Sequence, residues 1–232
     1  MQSTKIILDT DPGNDDLLAI VMALQSDLID IRGLTIVGGN ASLENTTNNA
    51  LSLLTYMSRE EVPVYIGDPS ALNEGSTSPE EYDEFISHRI EIHGHTGLHV
   101  DLPMPSIKPI EGHAVDFIIR EAELHKGEMV LVGIGPLTNI AKAIKKQPEL
   151  KQWLKGIYLM GGAINVAGNV TEYAEFNIYC DPEAANYVLS SGIGINVCGL
   201  DITRETYVGR KEIDWLNGPS LGERIIRPLL DT

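Results

Sequence analysis

Cysteine is almost missing from this sequence. Two residues, Cys180 and Cys198, stand without a Cys-x-x-Cys pairing, which excludes a disulfide framework and suits a reducing compartment. Basic side chains are also scarce. Seventeen Lys and Arg face 33 Asp and Glu, for a formal charge of −16, and this argues against nucleic acid as a partner, because phosphate binding needs basic surface. No stretch approaches the roughly 18 to 20 apolar residues of a membrane span. The start "MQSTKIILD" has no apolar core of a secretory leader. The chain is therefore expected to be cytoplasmic and away from membranes. No repeat or low-complexity tract interrupts it. At 232 residues, 43% apolar and 22% charged, it suits one large domain with a substantial core.

Short runs rich in Ile, Val and Leu alternate with stretches of helical period. "KIIL" (5–8) reads as a buried strand and "DDLLAIVMALQS" as a helix with Leu17, Ile20, Val21 and Leu24 on one face. "IRGLTIVGG", "VPVYIG", "EMVLVGIG", "GIYLMGG" and "GINVCG" read as further strands. "SLENTTNNALSLLTYM", with Ser42 as N-cap, "HAVDFIIREAELH", "PLTNIAKAIKK" and "DPEAANYVLSS" read as helices, the third of them ended by Pro148. Strands apolar on both faces and separated by helices predict an α/β fold, a mainly parallel open sheet with helices on both faces. Two long segments, about 68–109 and 163–177, break the rhythm, and such loops are often functional. Sites in open parallel sheets lie outside the carboxyl ends of the strands. That places Asp9 to Asp16, "VGGN" (37–40), "GIGPLTN" (133–139) and "MGG" (160–162) on one rim.

The first rim segment, "DTDPGNDD", gathers Asp9, Asp11, Asp15 and Asp16 around a Pro-Gly turn. Like charges this close need a cation or strong hydrogen-bond donors. Asp15 or Asp16 alone also reads as an acid favoured in a first helical turn; that leaves Asp9 and Asp11 unexplained. Carboxylates and carbonyls without neighbouring cysteine suit Ca2+ or Mg2+, which would hold and acidify a water molecule.

"DTDPGNDD", "VGGN", "GPLTNIA", "LMGG" and "GNVTEYAEFNIYCDPEAA", in this order from Lys5 to about Thr203, resemble the inosine-uridine-preferring nucleoside hydrolase family, the nucleoside N-ribohydrolases. The resemblance implies a Rossmann-like fold and calcium-dependent hydrolysis of the N-glycosidic bond of ribonucleosides, in nucleoside salvage. It implies that Asp11 both ligates Ca2+ and takes the proton of the attacking water. Asp16 and the Ile134 carbonyl resemble further calcium ligands. Asp15 corresponds to a position that hydrogen-bonds the ribose hydroxyls, Asn40 to another residue of the substrate site, and Asn169, Glu175 and Asn177 to side chains that grip the sugar; Asp9 supports the metal turn from behind. A homodimer or homotetramer is also implied. The stretch "EFNIYCDP" can alternatively be a strand edge running into a helix capped by Asp181. With no apolar period there, loss of Glu175 or Asn177 is expected to leave folding intact.

"EIHGHTGLH" brings His93, His95 and His99 together. His-x-His-x3-His can be a zinc site or a loop beside the pocket; a His-Gly segment near the active site of the family points to a substrate-adjacent role for His93. "GIGPLTN" lacks the lysine of a phosphate loop, and its Gly-x-Gly is too short for a dinucleotide fingerprint. Members of the family normally run longer and carry a C-terminal His-Asp-Pro, whose Asp completes the calcium shell and whose His serves the leaving base. Here no Asp-Pro follows a histidine, and "ERIIRPLLDT" ends within an amphipathic, helix-like stretch. The expectation is a single domain over residues 1–232, truncated at its C-terminus. Two other functions remain open: a ribose- or nucleoside-binding protein without turnover, and a metal-dependent phosphohydrolase using an Asp nucleophile. The second needs a basic residue to meet phosphate, and the rim motifs supply none.

Overall fold

The computed structural model describes residues 3–69 and 94–207. Six strands form one sheet: β1 (Thr4–Thr10), β2 (Ile29–Ile36), β3 (Val64–Ile66), β4 (Met129–Gly133), β5 (Leu154–Met160) and β6 (Ile195–Cys198). Their order is β3-β2-β1-β4-β5-β6, and every pairing is parallel. The longer helices are α1 (Asn14–Gln25), α2 (Leu43–Met57), α3 (Ala114–Leu124), α4 (Thr138–Lys146) and α7 (Pro182–Leu189). Three short ones, α5 (Leu150–Trp153), α6 (Phe176–Cys180) and α8 (Leu200–Thr203), are too brief for periodicity to have announced them. The expected strands and long helices all appear; the C-terminal helical expectation falls outside the described residues. Among the described residues no helix is long and apolar enough to cross a membrane.

Alternation along the strands divides the core in two. Ile7, Leu131, Ile157 and Leu159 pack with α3, α4 and α7 on one face. Leu8 and Leu34 pack with α1 and α2 on the other, through Leu17, Ile20, Leu53 and Leu54. The helix starts are fixed by side chains: Ser42 Oγ accepts from Asn45 N–H, His113 Nδ1 from Val115 N–H, and Asp181 Oδ1 from Ala184 N–H. The strand order reverses between β1 and β4, so a crevice opens outside their carboxyl ends, where open parallel sheets bind ligands.

Gly33 in β2 shows how tightly the first face is filled. A Cβ there would lie 2.6 Å from Phe117 Cζ, and Phe117 is itself buried and stacked on Tyr65 at 4.2 Å between centroids. Gly33→Ala is therefore expected to cost about 1–3 kcal/mol through overpacking. A urea midpoint unchanged from wild type would show that the Phe117 ring yields freely.

Candidate active site at the carboxyl edge of the sheet

Asp11 follows β1 directly, in the crevice between β1 and β4. Its side chain is fully buried. One oxygen, Oδ2, accepts the Asn40 backbone N–H at 2.7 Å, while Oδ1 is buried with no hydrogen-bond partner. Two glycines frame this carboxylate: a Cβ built on Gly39 or on Gly135 would collide with its oxygens. Gly39 of "VGGN" and Gly135 of "GIGP" are thus explained by close backbone approach to one side chain.

Asp16 sits in the first turn of α1 and is also buried. It accepts from Thr10 Oγ1 at 2.8 Å, Asn40 Nδ2 at 2.8 Å and Gly13 N–H at 3.1 Å. Asn40 therefore ties the two acids together, since its amide also donates to the Asp11 carbonyl oxygen at 3.2 Å. Both amide hydrogens are engaged, and its Oδ1 is the atom left for a ligand. Asp15 is exposed on the same turn. Behind them, Asp9 Oδ1 accepts from Thr35 Oγ1 at 2.5 Å and Asn139 Nδ2 at 2.9 Å, and Oδ2 is a second buried oxygen without a partner.

Burial dominates the electrostatics. It pushes Asp9 and Asp16 up from 3.8 to about 7, with Asp15 adding to Asp16. It raises Asp11 well above the carboxylate range, reinforced by the neighbouring charges of Asp16 and Asp15. No basic side chain figures among the influences on any of the three. Three buried acids without a cationic neighbour among the described residues, two of them (Asp9 and Asp11) with a bare oxygen, fit a hard cation. Among the described residues no three His, Cys, Asp or Glu side chains group closely enough to hold a metal alone. A cation here would draw on Asp11, Asp16 and the Ile134 carbonyl, and on oxygens supplied by water or substrate.

The second half of the rim is built on α6. Glu175 is its N-cap: Oε2 accepts from Gly162 N–H at 2.9 Å, Asn177 N–H at 3.0 Å and Ile178 N–H at 3.4 Å. Asn177 Nδ2 donates to the Ile134 carbonyl at 3.0 Å and the Met160 carbonyl at 3.1 Å, so it joins the ends of β4 and β5. Asn169 is exposed and its Oδ1 accepts from Phe176 N–H at 2.9 Å. Asp181 caps α7, as the alternative reading of "EFNIYCDP" has it, and also accepts from Thr138 Oγ1 at 2.6 Å. Glu175 and Asn177 are buried and hold backbone; the expectation that their loss leaves folding intact does not survive.

His93 lies outside the described residues. His95 and His99 are exposed on a loop docked against the acidic turn: Asn49 Nδ2 donates to Pro12 O and Thr96 O, both at 2.9 Å, and His99 N–H to Asn14 Oδ1 at 2.9 Å. Thr10, Thr35, Asn49 and Asn139 were not singled out from sequence. Their one signal is a polar residue within an otherwise apolar strand or helix face, as for Thr35 in "GLTIV".

Two outcomes are expected. Asp11→Asn keeps the shape but removes a buried charge, so in EGTA its melting temperature should equal or exceed that of wild type. The rise that calcium gives wild type should be lost, and an equal rise in the variant would place the cation elsewhere. Asn177→Ala should cost about 1–3 kcal/mol by leaving the Ile134 and Met160 carbonyls without their donor. A chemical melt showing no loss would leave Asn177 with a ligand role only.

Comparison with known proteins shows the family. Residues 6–230 match the family model described as inosine-uridine preferring nucleoside hydrolase. Uridine nucleosidase 1 of Arabidopsis thaliana is 42% identical over 202 residues, covering 87% of this chain and 57% of that protein. The pyrimidine-specific ribonucleoside hydrolase RihB of Escherichia coli is 42% identical over 207 residues, covering 89% and 62%. The chain thus spans about three fifths of the length of these curated relatives. Among solved structures, the purine-preferring ribonucleoside hydrolase from Gardnerella vaginalis superposes with a TM-score of 0.88 at 36% identity, covering 97% of this chain and 70% of that one. A match over nearly the whole sequence, together with relatives this similar, places the chain in the inosine-uridine preferring nucleoside hydrolase family.

Proposed function

We propose that this chain binds a ribonucleoside at the β1/β4 crevice and hydrolyses its N-glycosidic bond with the help of Ca2+. The observation that carries this reading is Asp11: a buried carboxylate with one oxygen held by Asn40 and the other without a partner. When bound, the calcium ion would hold a water molecule and lower its pKa.

Departure of the base leaves positive charge on C1′ and the ring oxygen of ribose. Asp11 Oδ1, the oxygen left without a partner, takes the proton of the attacking water. Asp16 and the Ile134 carbonyl are the other donors to the cation. Exposed Asp15 accepts from ribose hydroxyls. Asn169, Glu175 and Asn177 contact the sugar, with Asn40 as a further site residue; His93, outside the described residues, keeps the substrate-adjacent role that the family resemblance implies. Asn40 and Asn177 have their NH2 hydrogens engaged, so each offers its amide oxygen as acceptor. Asp9, clamped by Thr35 and Asn139, fixes the strand end that delivers Asp11.

The two curated relatives described above are named for uridine and for pyrimidine ribonucleosides, which makes uridine the first substrate to try and inosine the second. The test is release of free ribose by the 232-residue protein with calcium or with EGTA. Release that needs calcium and falls at least about a hundredfold in Asp11→Asn is expected. Uridine binding without ribose release would instead support a binding protein without turnover, and failure of both would end this reading.

A further inference from the structure

The loop 162–174 carries Asn169 and leads into Glu175. None of its residues is buried, and Ile164 and Tyr173 are 50% and 83% exposed. No core contact therefore fixes its shape. Its internal order comes from backbone bonds, Gly168 N–H to Glu172 O at 2.9 Å and Asn169 N–H to Ala174 O at 3.1 Å, and from two of its own side chains: Thr171 Oγ1 accepts from Ala174 N–H at 2.9 Å and Asn169 Oδ1 from Phe176 N–H at 2.9 Å. Gly168 is packed so closely on the Thr171 and Ala174 carbonyls that any side chain there would collide with them. The base of the loop is held by Glu175 on Gly162 N–H and by Leu200 N–H on the Gly162 carbonyl at 2.9 Å.

One side chain reaches the far part of the loop from another element. Arg204, at the end of α8, donates from Nη1 to the Ala167 carbonyl at 2.8 Å and from Nη2 to the Gly168 carbonyl at 3.1 Å. Its own N–H closes α8 on the Leu200 carbonyl at 3.2 Å. Among the described residues no carboxylate lies within ion-pair distance of it, although the chain holds 33 acids. A planar guanidinium is suited to grip two acceptors at once, which an ammonium is not.

We propose that Arg204 is a positioning residue for ribose recognition: its fork on the Ala167 and Gly168 carbonyls sets the loop that presents Asn169. The proposal rests on the reading of Asn169, Glu175 and Asn177 as the sugar site. Arg204 touches neither cation nor sugar, so its loss acts on the sugar side alone.

Initial rates of ribose release from uridine by the 232-residue protein at saturating calcium, with KM read as uridine affinity, and calorimetry with calcium alone test this. Arg204→Ala should bind uridine about tenfold more weakly, the loss of two charge-assisted hydrogen bonds near the surface, with calcium affinity unchanged. Hydrogen exchange at the Gly168 and Asn169 amides should quicken. Millimolar guanidinium should restore uridine affinity to Arg204→Ala and leave wild type unaffected, while Arg204→Lys should not regain it. Unchanged uridine affinity in Arg204→Ala overturns the proposal, as does a loss that guanidinium cannot repair or one matched by an equal loss for calcium. If wild type itself binds no uridine, the functional reading fails first and the proposal with it.

Discussion

The rim is organised around the burial of negative charge at the point where strand order reverses. Asp9, Asp11 and Asp16 are all shielded from water, and among the described residues no cationic side chain offsets them. What makes this tolerable is a set of neutral donors: Thr35 and Asn139 on Asp9, the Asn40 backbone on Asp11, and Thr10, Gly13 and Asn40 on Asp16. Asn40 serves two of the acids. Its position follows from the parallel sheet, which ends β2 beside β1 and turns the "VGGN" backbone over the carboxylate of Asp11. The same constraint explains the glycines, because Gly39 and Gly135 close on Asp11 from both sides. Loop sequence, strand order and electrostatics at this edge share one cause.

Much of this was legible in the sequence. Apolar runs of four to eight residues separated by helical periods announced the parallel sheet, and the rule for carboxyl ends brought four separate motifs to one rim. The acids were legible because four of them within eight residues have no ordinary surface explanation. What escaped was the support. Asn139 donates to Asp9 and to the Ile36 carbonyl and accepts from Asp68 N–H, contacts at sequence separations that no local pattern encodes. Asn49 escapes for the same reason, through its bonds to the Pro12 and Thr96 carbonyls.

Glu175 and Asn177 show where a local reading divides roles that the fold unites. A stretch without apolar period looks like a free loop, so its polar residues look available for ligand alone. In the structure they form a one-turn helix whose cap is Glu175 and whose Asn177 binds the ends of β4 and β5. A carboxylate that accepts three backbone N–H groups through one oxygen is rigid, and rigidity is what a recognition side chain requires. Structural and functional roles therefore need not compete for the residue: one oxygen of Glu175 orders the chain and the other is left for a ligand.

The composition of the rim also selects among ligands. Around the three buried acids its side chains are acceptors, or amides such as Asn40 and Asn177 whose hydrogens are already engaged, and among the described residues Lys and Arg do not figure in their immediate surroundings. Such a surface favours hydroxyl groups, a hard cation and a developing positive charge. A phosphate on the sugar would instead meet Asp11, Asp15 and Asp16 without a compensating base. This argues for nucleosides over nucleotides, and it is why the phosphohydrolase alternative loses ground once the structure is in view. The acidity of the whole chain, at −16, acts in the same direction at longer range, since a neutral substrate is not repelled while an anionic one is.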